Sequence, residues 1–192
     1  MAVIAIVAAA TIGALQLRPR PLLVEDAANR LAAMSDAARS QAILGGVPAR
    51  LLVNYDPNDS ENYMRQLSIV VETEYGSNLW RTVDRGAKLP AGVFIDPARS
   101  VFRKNITDDA IYFGDLPSNS GVALSSGTER GANTWIAVGF EPNGRIVNEV
   151  SSNEIVIAPG GWSSGILVFD ANESAKKVSF KPSGFSVTTD EP

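Results

Sequence analysis

The chain has 192 residues and a net charge of −4, and no basic stripe exists to neutralise phosphates, so no nucleic-acid partner is expected. It contains no cysteine and no histidine. That removes disulfides, thiolate chemistry, Ser-His and Cys-His catalysis and the commonest zinc ligand together.

Met1 to Leu17 reads MAVIAIVAAATIGALQL and carries no charge. As a helix it would be roughly 25 Å long, slightly short of the ~20 apolar residues that span a bilayer. A secretory signal normally opens on a basic region, whereas here the apolar run begins at Met1 and the charges, Arg18 and Arg20, come after it. Ala8-Ala9-Ala10 could serve as a cleavage site, but it sits mid-run. The small residues Ala5, Ala8 and Gly13 suit close helix packing in a membrane or filament. Pro19 and Pro21 lack backbone donors and bias the residues before them toward extended geometry, so a helix kink is predicted there.

Leu22 to Leu44 is predicted as a second, amphipathic rod. Val24, Ala27, Ala28, Leu31, Met34, Ala38 and Ala42 recur at steps of three and four and make one thin, Ala-rich stripe against which a sheet can pack closely. Glu25 and Asp26 are expected in the first turns, where the helix dipole favours negative charge, and Asp26 is spaced to pair with Arg30. Gly45-Gly46 followed by Pro48 marks the stop. The chain thus divides into a rod over residues 1–46 and a head over 47–192, about 146 residues, enough for one domain.

In the head, Arg50–Tyr55 and Gln66–Tyr75 have strand composition. The loop between them carries Asp56, Asn58, Asp59 and Glu61, oxygen ligands that could suit calcium, but without the EF-hand order; the reading is a solvated hairpin loop and no metal. Asn78–Val83 and Gly92–Ile95 continue the sheet, with Trp80 in the core and Leu89-Pro90 at a bend. Ala98–Gly131 is the least patterned stretch and reads as a long loop region with one or two strands, rich in Ser and Gly, where recognition usually lives. Thr134–Phe140 and Arg145–Val150 flank Asn143-Gly144, the clearest hairpin signal. Glu154–Ala158, Gly165–Asp170, Lys176–Phe180 and Phe185–Thr189 follow as short strands. Such spacing indicates an antiparallel sandwich or curled sheets.

Several of these pieces stand in an order that resembles type IV pilin-like proteins, in particular the minor pseudopilins of the GspH/FimT type of type II secretion and type IV pili. The helix closes on Ala38-Arg39, Ala42, Gly45 or Gly46, and Pro48. A mid-head stretch holds Trp80, Gly86, Leu89-Pro90 and Gly92-Val93-Phe94-Ile95. Ile136, Phe140, Pro142 and Gly144-Arg145 come next, and a closing strand pair has Val178-Ser179-Phe180 and Gly184. The resemblance covers nearly the whole chain. It implies an α+β fold, with a long N-terminal helix kinked at Pro19 and Pro21 and packed on a mainly antiparallel β-sandwich head. It also implies a structural filament subunit, not an enzyme, needing no cofactor. Val3, Ile4, Ile6, Val7, Ile12 and Leu15 would then pack in the membrane or filament. The partners would be other copies or other pilin-like subunits, with the inner membrane before assembly. The location would be the bacterial inner membrane and periplasm, or an extracellular filament. The family's glycine cleavage site and glutamate-bearing start are not matched; either they lie upstream of Met1, or Ala5 stands in the glutamate's place.

Two other classes compete. A membrane-anchored or secreted β-sandwich binding module would use the Ser/Gly-rich loops. A carboxylate hydrolase would need a pair from Asp108-Asp109 or Glu72 and Glu74, but neighbours on a strand face opposite ways and spacing alone sets no pair together.

Overall fold

The stripe of Val24, Ala27, Ala28, Leu31, Ala38 and Ala42 folds as one face of α1, Arg20–Gly45, and every one of these side chains is buried. The computed structural model describes residues 20–77, 80–83, 86–101, 122–123, 129–130, 135–147, 153–170 and 174–191. α1 ends as its sequence predicts: Gly46 takes φ 63°, the left-handed cap that glycine reaches without strain. It begins earlier than Leu22, with Pro21 in the first turn, where a missing N–H is harmless. Glu25 and Asp26 therefore fall in the second turn, and the first turn has no acidic residue. Met34 is only half-buried; Ser35 takes its place in the stripe, because steps of four after Leu31 stay centred on the buried face.

The strands are β1 (Ala49–Asn54), β2 (Gln66–Glu72), β3 (Trp80–Thr82), β4 (Ala87–Lys88), β5 (Val93–Val101), β6 (Val122–Ala123), β7 (Glu129–Arg130), β8 (Trp135–Phe140), β9 (Asn153–Ser163), β10 (Ile166–Phe169), β11 (Ala175–Phe180) and β12 (Ser186–Glu191). They form two larger antiparallel sheets and the small β6–β7 pair. The first sheet runs β3-β2-β1-β8, with β4 also on β2; the second runs β10-β9-β11-β12, with β5 also on β9. β5 crosses to the second sheet, where Ile95 pairs with Ile157. β8 then returns to the first, where Leu51 pairs with Val138. α1 lies over both sheets, against β1, β2 and β8 of one and β9, β11 and β12 of the other. One continuous core results, holding Leu31, Leu51, Leu67, Ile95, Phe140 and Phe180. Trp80 belongs to the buried set, as its sequence context predicts. The chain is thus an α+β fold of one long helix on antiparallel sheets.

Three stretches differ from expectation. β5 does not stop at Ile95: Asp96 closes a bulge by accepting from the Ala98 N–H (2.9 Å) and the Arg99 N–H (3.3 Å). Ser100 Oγ then donates to the Asp96 carbonyl and accepts from the Val156 N–H, so the strand resumes through Val101. β9 runs five residues past Ala158, to Ser163. There Ser164 and Gly165, with φ 51° and 80°, make a two-residue turn into β10. The Asn143-Gly144 turn forms, with the Glu141 N–H on the Arg145 carbonyl at 2.7 Å, and beyond it Ile146 bridges back to Phe140 and the Val147 N–H reaches the Gly139 carbonyl at 2.9 Å. Residues 148–150 and most of 98–131 lie outside the described residues.

Candidate functional site

Val3, Ile4, Ile6, Val7, Ile12, Leu15 and Pro19 lie outside the described residues, as does Asp108-Asp109. Pro21 is in the first turn of α1. No described helix is long and apolar enough to cross a membrane. Glu72 is buried and its carboxylate accepts from the Gly76 N–H at 3.0 Å, a turn contact. The loop after β1 folds on itself in the same way: Asp56 accepts from the Asn58 N–H at 3.0 Å and Asp59 from the Asn62 amide at 3.0–3.1 Å.

What the head offers lies at the two ends of α1. At the C-terminal end, Arg39 Nε donates to the Gly144 carbonyl at 3.0 Å, and its guanidinium stacks over Phe185 at 4.3 Å. Gly184 packs so closely that a Cβ there would collide with both the Gly144 carbonyl and Arg39. The Ile146 N–H reaches the Pro182 carbonyl at 3.2 Å. The turn after β8 and the turn between β11 and β12 thus close on one helix side chain. Ala38-Arg39, Gly144-Arg145 and Gly184, which are far apart in sequence, are one junction. Beside it Ile43, Leu44 and Phe185 are exposed.

At the N-terminal end, Arg20 pairs with Asp170 at 3.5 Å over an open groove of about 520 Å³ whose other walls include Gly160, Trp162 and Val168. A second cleft, about 240 Å³, has walls that include Tyr63, Trp162, Ile166, Leu167 and Phe169. Trp162 and Phe169 line both. Trp162 Nε1 donates to the Ser60 carbonyl at 3.0 Å, and its ring stands 5.7 Å from Tyr63, which in turn lies 5.5 Å from Tyr55. Burial, and after it the neighbouring Tyr55, pushes the Tyr63 phenol up to about 12. The sequence reading singled out Trp80 and passed over Trp162. The signal available was the run Ile155–Phe169, which holds no charged residue although 20% of the chain is charged.

Between the two ends, Lys176 Nζ lies 2.8 Å from Glu25 on α1 and 2.8 Å from Asp190 on β12. Hydrogen bonds to Asp190 and then Glu25 raise its pKa, and the Glu25 contact joins β11 to α1. The solvent face of α1 presents Leu22, Ala33, Ala37 and Leu44.

No family model matches the chain, and no curated protein does. Two solved structures are similar. One is the minor pseudopilin EpsH from the type 2 secretion system of Vibrio cholerae, with a TM-score of 0.48 and 11% identity, covering 86% of this chain and 95% of that one. The other is the type IV minor pilin FimU of Pseudomonas aeruginosa, with a TM-score of 0.46 and 16% identity, covering 90% of this chain and 91% of that one.

Proposed function

We propose that the chain is a structural subunit of a pilus or pseudopilus filament. In this reading the uncharged segment Met1–Leu17 holds it in the bacterial inner membrane, then bundles with the same segment of other pilin-like subunits. The observation that carries it is the use of α1. One face of that helix is consumed by both sheets, while its N-terminus continues in sequence, through Arg18-Pro19, into an uncharged run. A helix so placed is a handle fixed to the head. The junction at Arg39 supports the same reading, because the motif residues that carry the family resemblance meet there. Assembly, not catalysis, is then the mechanism: apolar helices exchange lipid for one another and the heads ride outside.

The test is Ile12→Asp in the full chain. A charge in lipid costs roughly 2.5–3.5 kcal/mol on insertion scales, and an unpaired one among packed helices is also unfavourable. The melting temperature of the head should stay the same and incorporation into filaments should be lost, with membrane retention measured separately. Replacing Met1–Leu17 by an unrelated transmembrane helix separates anchoring from bundling. Normal incorporation of that chimera would overturn the filament-core role.

A further inference from the structure

We propose that the β9–β10 hairpin is a second membrane contact, a foot that sits in the lipid headgroup layer while Met1–Leu17 is inserted. The inference rests on the anchor reading above. It starts from an anomaly: β10 ends the strand order of its sheet, and such edges are ordinarily guarded by charge, proline or a cover. Ile166-Leu167-Val168-Phe169 carries neither charge nor proline. Leu167 and Phe169 turn inward beside Trp162, but Ile166 is 68% and Val168 51% exposed on the opposite face, next to Gly161 and Ser163. The hairpin tip, Ser163-Ser164-Gly165, is polar yet uncharged.

Chain length then sets where this face lies. Arg20 pairs with Asp170 and shares the groove with Val168 and Trp162. Leu17, the last residue of the uncharged run, is three residues before Arg20, hence at most about 10 Å from it in any conformation. If that run ends at the edge of the hydrocarbon, Arg20 stands in the headgroup layer and the hairpin stands beside it. Amphipathic surfaces enter that layer by about 5–10 Å. The branched side chains of Ile166 and Val168, beside the uncharged hydroxyls of Ser163 and Ser164, suit that layer. The exposed Ile43, Leu44 and Phe185 are at the far end of the helix, Leu44 roughly 36 Å from Arg20 along the axis, and stay in water.

Because the chain has no cysteine, Val168→Cys and Leu44→Cys can each carry a single polarity-sensitive dye. The full chain is reconstituted in phosphatidylethanolamine–phosphatidylglycerol vesicles containing a headgroup-nitroxide lipid, and flotation is scored alongside. The dye at position 168 should shift to the blue and be quenched at least about threefold more than at 44, as interfacial burial requires. That contrast should persist when the protein-to-lipid ratio is lowered. Ile166→Cys should report the same. A shift that disappears on dilution into lipid would mean a second copy covers the face and would overturn the proposal. Equal quenching at 168 and 44 in chains that float would overturn it while leaving the anchor intact. Chains that do not float would sink the anchor and the foot together.

Discussion

Gly184 and Gly46 both take positive φ, 86° and 63°, yet a methyl group would meet different surroundings at each. At Gly46 nothing lies within 4 Å, whereas at Gly184 a Cβ would strike the Gly144 carbonyl and Arg39. Gly46→Ala should cost the left-handed strain alone, about 1–2 kcal/mol. Gly184→Ala should cost clearly more, because the junction must also open. Urea unfolding of both variants with unchanged slope checks the ranking; equal costs would mean the Arg39 junction contributes little. Tyr63 gives a prediction in pH. Burial raises its folded pKa to about 12, above the usual tyrosine value, so the folded state favours the neutral phenol. That contribution is complete below pH 10 and is lost as pH rises through about 12. The melting temperature of the native chain should fall across this window more steeply than that of Tyr63→Phe, which has no proton to lose.

At the scale of elements, α1 was the most legible, because a 3.6-residue period over seven turns outweighs local exceptions. Its one anomaly is Ser35, fully buried in the stripe with an Oγ that has no hydrogen-bond partner among the described residues. Ser35→Ala removes that desolvated hydroxyl and raises helix propensity, and should stabilise the fold by about 1 kcal/mol. Thermal unfolding with a lowered midpoint would show that the hydroxyl does something the geometry does not reveal. Strands were legible where branched residues alternate or cluster, as in β1, β2 and β11. They were missed where the local chemistry reads as a turn. Asp96-Pro97 looks like an end, yet the Asp96 side chain supplies the donors' partner and lets β5 go on. Pro159-Gly160-Gly161 weakens any strand signal, yet β9 runs through it because Gly160 admits Phe94 and Phe169 against bare backbone.

At the scale of the molecule, composition and periodicity indicated a helix on antiparallel sheets but could not say which strand joins which sheet. The reason is physical: pairing partners are chosen by the collapsed core, not by neighbours in sequence. The hairpin foot was illegible for a related reason, since its exposed face and the groove at Arg20 exist only once β10 is laid beside β9. The strand exchange itself bears on how the chain reaches its fold. Ala49 pairs with Phe140 and Val93 with Pro159, so each sheet needs segments from both halves of the chain. Neither half can close alone, and α1, though synthesised first, finds its last supports only in β11 and β12. Such long-range closure belongs to the slow end of folding, milliseconds to seconds. A nascent chain halted before β9 would still display the alanine stripe, and would be a client for chaperones rather than a partly folded head.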